Sequence, residues 1–257
     1  MKHLIPLVFL ALSVPSLAQP APDAAQRPQR AYANPSALIA ADIAFARLAR
    51  ERGQWTAFRE TADDTAEMFE GQRVLAKAAL KDRKDPPAPV KWAPQSAWIS
   101  CDGSAGLTFG AWQGASGGNG EYVTVWQRQF KGKIDWKWVL DDGQDLAEPL
   151  RAVDWAEGKV ADCPARKRPD EAAAPQPGSK RERKEDSKLP PLRALAGPIP
   201  PLDAPAGADS KDGQSRDGTF AWRSVVLPDG SRRFAAWMWK DGAMQPVVSR
   251  NFKANGA

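Results

Sequence analysis

The fold class is decided by residues 121–142, which read EYVTVWQRQFKGKIDWKWVLDD. Aromatic and β-branched residues dominate both halves of this stretch, as they do in β-strands, and a Lys-Gly pair at 131–132 separates the halves. The stretch therefore predicts an antiparallel hairpin. Two further runs of the same kind precede it, VKWAPQSAWISC at 90–101 and AGLTFGAWQ at 105–113, so the predicted sheet continues towards the N-terminus.

A two-residue turn at 131–132 fixes which side chains face each other across the hairpin. It sets Trp126 opposite Lys137 and Arg128 opposite Asp135. This register predicts one cation–π contact and one ion pair.

Helices are predicted before the strands. Asn34 and Pro35 form a side-chain cap followed by a proline in the first turn, and apolar residues then recur at helical spacing until Gly53. A second helix is predicted directly after Gly53, a loop leading into a short strand at 62–69, and a third helical piece at 74–81. Helices followed by an antiparallel meander make an α+β domain.

The order of these elements resembles the nuclear transport factor 2-like superfamily, in its SnoaL-like form. The likeness covers residues 34–145, and its most specific parts are the first helix through ADD at 62–64 and the closing pair of strands, YVTVWQRQ at 122–129 and WKWVLD at 136–141. The resemblance implies cone-shaped helices on a curved antiparallel sheet that enclose a pocket, and it implies a homodimer through the sheet. The superfamily includes isomerases, dehydratases and ligand binders, so the fold does not identify the function.

Two catalytic patterns of that superfamily do not carry over to this chain. The aspartate base of its isomerase-like members lies seven residues after the alanine of ADD, and counting from Ala62 reaches Phe69, which cannot accept a proton. The histidine-aspartate pair of its dehydratase-like members requires a histidine, whereas His3 is the single histidine of the chain and lies in a predicted signal peptide. Of the groups that remain, which include Asp63 and Asp64 of the ADD motif, Asp42 on the apolar face of the first helix is the candidate base. Its alternative is a buried carboxylate bonded to neighbouring groups.

Tryptophan is the most unusual feature of the composition, with 11 residues against two tyrosines. In the predicted sheet, Trp136 and Trp138 alternate onto one face with Leu140. The indoles either fill the core or line a pocket for a flat, apolar or sugar-like ligand. The candidate pocket residues are Asp42, Phe45, Trp55, Trp98, Tyr122, Trp126 and Trp138.

The first 18 residues predict an export signal. They combine an early lysine, an apolar run at 4–12 and small residues at Ser16 and Ala18, so cleavage is expected after Ala18 and the mature protein is expected in the periplasm or outside the cell. In that oxidising space Cys101 and Cys163 should pair, the alternative being two buried free thiols. Without histidine, and with two cysteines, neither a metal site nor a cofactor is expected.

The basic charge of the chain is confined to one segment. Residues 166–193 contain nine Lys or Arg against five Asp or Glu among Pro, Gly and Ser, which predicts a disordered linker rather than a nucleic-acid surface. The linker is either a solvated spacer or a contact for an anionic partner. The predicted organisation is a signal peptide at 1–18, a disordered tail at 19–33, the α+β domain at 34–163, a charged and Pro-rich linker at 164–213 and a β-meander at 214–252.

The meander is predicted from two Asp-Gly turns between strand-like runs. A two-residue turn at 229–230 pairs Trp222 with Trp237 and Phe220 with Trp239. So small a meander must bury its aromatic face on the larger domain, on a second subunit or on a partner.

Two functions follow from these observations. The first is an exported, non-catalytic binding module with a tryptophan-rich pocket for a small apolar ligand or an envelope partner. The second is a SnoaL-like isomerase or hydrolase with Asp42 as its general base. No transmembrane segment is expected in the mature chain.

Overall fold

A computed structural model of the chain describes residues 33–129, 136–163 and 197–254. These residues belong to one compact unit. Several sequence predictions lie outside the described residues, namely the signal peptide at 1–18, nearly all of the tail at 19–33, the turn at 131–132 with Asp135, and most of the linker, 164–196.

The described residues form three helices and eleven strands. In chain order these are α1 (Pro35–Arg52), α2 (Gln54–Thr61), β1 (Ala62–Phe69), β2 (Arg73–Leu75), α3 (Ala76–Ala79), β3 (Lys91–Ile99), β4 (Ala105–Gln113), β5 (Asn119–Arg128), β6 (Trp136–Asp145), β7 (Glu157–Val160), β8 (Asp209–Gln214), β9 (Phe220–Val226), β10 (Arg232–Lys240) and β11 (Ala243–Phe252).

The strands form two sheets. The first has seven strands in the order β2-β1-β6-β5-β4-β3-β7, and it is mixed because β1 runs parallel to β6 and β7 parallel to β3. The second has four antiparallel strands in the order β11-β10-β9-β8. The fold is therefore α+β and mostly β.

The start and end of α1 are as predicted. The side chain of Asn34 accepts a hydrogen bond from the backbone N–H of Ser36, Pro35 occupies the first turn, and Gly53 ends the helix at a φ of 106°. Gly53 suits that end because a left-handed φ strains residues that carry a Cβ.

Two boundaries differ from the predictions. Residues 62–69 are strand throughout, and the third helix is shortened because residues 73–75 pair with β1.

The register between β5 and β6 differs from the predicted one. Trp126 lies opposite Trp138 rather than Lys137, and Val125 lies opposite Leu140, so Val139 is an extra residue in β6. Such a β-bulge reverses the alternation of side chains beyond it. Trp136 and Trp138 share one face, as predicted, and that face packs against the helices. The prediction that Leu140 lies on the same face is wrong, because the bulge turns Leu140 to the opposite face of the sheet.

Each face of the first sheet is covered by a different layer. Helix α1 packs on one face, where its buried Leu38 and Phe45 share a core with Trp126 and Trp138. The second sheet covers the other face with the buried residues Phe220, Trp222, Phe234, Met238 and Phe252. The meander therefore buries its aromatic face on the larger domain, which is one of the three locations predicted for it. A homodimer through that face of the first sheet would have to displace the second sheet.

The turn between β9 and β10 contains three residues rather than two. The Leu227 N–H donates to the carbonyl oxygen of Ser231 at 2.8 Å, and Gly230 adopts a φ of +82°. The extra residue shifts the register by one, so Trp222 lies opposite Ala236 and Phe220 opposite Met238. The predicted Trp222–Trp237 and Phe220–Trp239 pairs are therefore absent.

Cys101 and Cys163 form the predicted disulfide, with their Cα atoms 5.2 Å apart. The bond joins the turn after β3 to the segment after β7, and the backbone N–H of Cys101 donates to Thr219 Oγ1 at 2.8 Å, which ties this corner to the second sheet. A disulfide is compatible with an extracellular or periplasmic protein.

Within the described ranges, none of the helices has the length and apolar content that a membrane crossing requires.

Candidate functional site

A cavity of about 230 Å³ lies on the helix side of the first sheet. It is small, since pockets for drug-sized ligands typically enclose about 300–1,000 Å³. Its described lining residues come from α1, α2, β1, the segment before β3 and strands β3 to β6, and they are Phe45, Gln54, Trp55, Phe58, Met68, Val90, Trp92, Trp112, Tyr122, Thr124, Asp141, Asp142 and Gly143.

Aromatic rings in edge-to-face contact build most of the cavity wall. The Phe45 ring centroid lies 4.8 Å from that of Phe58 and 4.8 Å from that of Trp92, and the Phe58 and Trp55 centroids are 5.5 Å apart. Such pairs stabilise one another beyond the burial of their surface. The wall is therefore mostly aromatic and apolar.

A bulge in β3 places Trp92 in this wall. Trp92 lies opposite Trp112 and Pro94 opposite Gly110, but the next partner of β4, Phe109, faces Ser96, which leaves Gln95 as the extra residue. Without this bulge, Trp92 would share a face with Trp98, which packs against the second sheet. The bulge therefore divides the two tryptophans between opposite faces.

Asp42 lies beneath the cavity with no exposed surface. Its Oδ1 accepts a hydrogen bond from Trp92 Nε1 at 2.9 Å, and its Oδ2 accepts one from the Tyr122 hydroxyl at 3.0 Å. Burial raises the pKa of Asp42 to about 6, against the opposing effect of hydrogen bonds from Thr108, Tyr122 and Trp92. Burial and the nearby Asp42 raise the pKa of Tyr122 well above its usual value, so the phenol stays protonated as a donor.

Asp141 is one of the two carboxylates among the described lining residues, the other being Asp142. Because the bulge at Val139 precedes it, Asp141 is on the helix-facing side of β6, where Thr124 Oγ1 donates to its Oδ2 at 2.6 Å. Burial raises the pKa of Asp141 to about 7; the bond from Thr124 lowers it, while the charges of Asp142 and Asp42 raise it further. Asp141 therefore changes charge near neutral pH.

Asp142 belongs mainly to the opposite face of the sheet. Both of its carboxylate oxygens lie 3.0 Å from Nε of Arg232 on β10, and both side chains are almost completely buried. Burial raises the pKa of Asp142 to about 6, against the lowering effect of the Arg232 hydrogen bond and charge. The guanidinium also donates to the carbonyl oxygens of Lys253 and Gly143, so this pair joins the two sheets.

The structure divides the predicted pocket residues into three groups. Phe45, Trp55 and Tyr122 line the cavity, and Asp42 lies directly beneath it in contact with Tyr122. Trp126 and Trp138 are completely buried in the core under the helices. Trp98 is on the opposite face, in the core between the two sheets.

Several lining residues were not among the sequence candidates. Phe58 falls in the predicted second helix and Trp112 has the alternation of the predicted sheet, so both could have been found from the sequence. Trp92 and Asp141 could not, because a bulge sets the face of each. No group of three or more His, Cys, Asp or Glu side chains suited to a metal ion occurs within residues 33–129, 136–163 and 197–254.

No protein-family model and no curated protein sequence matches this chain. Among solved structures, the chain is similar to a crystal structure of the S. rosetta CaMKII hub, with 17% sequence identity and a TM-score of 0.35. The match covers 44% of this chain and 98% of that one.

Proposed function

We propose that this chain is an exported, non-catalytic binding module of the nuclear transport factor 2-like type, and that its cavity binds a small, largely apolar ligand. The observation that carries the proposal is the cavity of about 230 Å³ walled by aromatic rings from the helices and the sheet. An apolar concavity with a few convergent polar groups is the usual form of a small-molecule site.

The order of elements supports the proposed superfamily. Two helices, a strand paired with the short β2, a short helix and four consecutive antiparallel strands follow one another over residues 35–145, and apart from β2 this is the order that the resemblance implies. Bulges in β3 and β6 favour a sheet that bends around the helices, because a bulge increases local twist and bends its strand.

Export to the periplasm or beyond is part of the same proposal. The signal-like residues 1–18 motivate it, and the Cys101–Cys163 disulfide supports it, since such bonds persist in oxidising compartments. The ligand would then be a compound that reaches the cell envelope.

The contacts of Asp42 favour binding over catalysis. A general base needs a lone pair directed at its substrate, whereas both oxygens of Asp42 already accept hydrogen bonds from the protein and the side chain has no exposed surface. Asp42 is better suited to holding Trp92 and Tyr122 in the cavity wall.

The alternative is an isomerase or hydrolase, and one observation favours it. A pKa of about 7 places the Asp141 carboxyl near the optimum for proton transfer at neutral pH. In such an enzyme Asp141, rather than Asp42, would contact the substrate. Asp141→Asn should then abolish turnover while the fold is unchanged by circular dichroism.

A substitution that fills the cavity tests the binding proposal. Val90→Trp places an indole at a lining position, and Val153→Trp makes the same change at a position that is 51% exposed. In calorimetric titrations with small aromatic and alicyclic compounds, Val90→Trp should weaken any binding at least about tenfold, and Val153→Trp should leave it unchanged. Equal binding by both variants, or no binding by the unaltered protein, would contradict the proposal.

A further inference from the structure

The charges around the cavity are unbalanced. The described lining residues include the carboxylates of Asp141 and Asp142 but no lysine, arginine or histidine. Arg232 neutralises Asp142 from the second sheet, whereas no ion pair to Asp141 occurs within the described part of the chain. The cavity wall therefore presents one carboxylate without a basic partner there.

The rest of the cavity wall is also suited to a positively charged ligand. Six of the described lining residues are aromatic, and the faces of such rings attract cations. One of these rings already contacts a cation of the protein, since the guanidinium carbon of Arg83 lies 4.9 Å from the centroid of a Trp55 ring. Arg83 is itself paired with Glu70, so it does not supply a net positive charge.

We infer that the cavity selects a small organic cation, whose charged nitrogen lies against Asp141 and whose apolar part contacts the aromatic wall. The inference rests on the proposed binding function and specifies its ligand class. Anionic ligands are disfavoured because they would meet a carboxylate at close range. A neutral ligand of the same shape would fill the apolar wall but would leave Asp141 unpaired, which costs affinity.

Protonation of Asp141 should control the binding of such a cation. The titratable groups around Asp141 are Asp42 from α1, Tyr122 from β5 and Asp142 on its own strand, with Arg232 behind Asp142. Tyr122 stays protonated, so Asp141, Asp142 and Asp42 are the groups that titrate between pH 5 and 8, and of these Asp141 is the one that lines the cavity without a basic partner in the described part of the chain. A cation binds more tightly once Asp141 is ionised, so affinity should rise with pH over this range.

Benzyltrimethylammonium is a suitable probe because its charge is independent of pH, and neopentylbenzene is its neutral isostere. Tryptophan fluorescence of the full exported chain, titrated with each compound, should give a preference of at least about tenfold for the cation at pH 8. Lowering the pH to 5 should weaken cation binding by about tenfold or more and leave the isostere unaffected.

Asp141→Asn is the decisive variant, and Asp145→Asn is its control. The control removes the same charge from the same strand at an exposed position outside the cavity lining. Asp141→Asn should remove both the preference for the cation and its dependence on pH, while the control retains both. Thr124→Val provides a second variant if Asp141→Asn fails to fold, because it removes the hydroxyl that orients Asp141 and should reduce the preference.

Three results would count against the inference, and they have different meanings. Equal affinity for both compounds would overturn the cation selectivity while supporting the proposed cavity. Cation binding that Asp141→Asn does not change would overturn the role of Asp141. Binding of neither compound would overturn the inference, and the proposed function would fail with it if the wider panel of neutral compounds also did not bind.

Discussion

Asp141 and Asp142 are consecutive residues of β6, yet their carboxylates have partners on opposite sides of the first sheet. Asp141 accepts a hydrogen bond from Thr124 at the cavity, and Asp142 forms a buried ion pair with Arg232 of the second sheet. One strand thus contributes both to the candidate binding site and to the attachment of the two sheets. Each role can be tested separately.

The ion pair with Arg232 predicts a large loss of stability when one partner is removed. Arg232→Ala leaves the charge of Asp142 buried without compensation, which should cost about 3–5 kcal/mol of unfolding free energy. The adjacent Arg233 pairs with the exposed Asp203, so Arg233→Ala should cost at most about 1 kcal/mol. Urea unfolding at pH 7 measures both values.

The double variant Arg232→Met with Asp142→Leu adds a further check on that pair. It removes both buried charges together, so much of the stability lost in Arg232→Ala should return. Equal losses for Arg232→Ala and Arg233→Ala would show that the buried pair does not hold the sheets together.

Asp42 should make the protein less stable as the pH rises. Its pKa is about 6 in the folded chain and about 3.9 in the unfolded chain, so the folded chain binds more protons between these values. The contribution of Asp42 to stability is therefore fully present below pH 4 and lost by about pH 6. Asp42→Asn lacks this contribution.

The comparison of the unaltered protein with Asp42→Asn cancels most of the contribution of the other carboxyl groups, because both proteins contain them and the charge of Asp42 is a minor cause of the raised pKa of Asp141. Relative to Asp42→Asn, the unaltered protein should lose about 1.4 kcal/mol per pH unit between pH 4 and 6. Free energies of unfolding measured for both proteins at intervals of half a pH unit would show this loss. A constant difference between the two proteins would mean that Asp42 has an ordinary pKa.

The disulfide predicts a third effect on stability. It closes a loop with a sequence separation of 62 residues, which corresponds to about 4 kcal/mol if restriction of the unfolded chain dominates. Replacing both Cys101 and Cys163 by serine should lower the free energy of unfolding by about that amount, and reductant should then have no further effect. A loss below about 1 kcal/mol in the double variant would rule out a stabilising role.

The sequence was informative where local chemistry determines the structure. The cap at Asn34, the helix end at Gly53 and the pairing of Cys101 with Cys163 all depend on residue types with few alternatives. The strand positions of β3 to β6 followed from their aromatic and β-branched composition. These features were enough to predict the α+β class and the cavity residues that the helices contribute.

The sequence failed where one extra residue changes a register. The bulges at Gln95 and Val139 have no distinct local pattern, because an extra residue in a strand is accommodated by pairing and packing with distant residues. Each bulge reverses the alternation of side chains beyond it. For this reason Trp92 and Asp141 were missed as cavity residues, while Trp98 was placed among them. The three-residue turn after Leu227 does have a local pattern, since Pro-Asp followed by a glycine at positive φ is typical of such a turn, and the prediction of a two-residue turn overlooked it.

The most direct test of a binding site in this cavity is a crystal structure of the full chain grown with benzyltrimethylammonium. We expect density for the compound among Trp55, Trp92 and Trp112, with its nitrogen within about 6 Å of an aromatic ring centroid and next to the Asp141 carboxylate. A ligand bound elsewhere, or a cavity closed by the side chains of its own wall, would contradict this expectation.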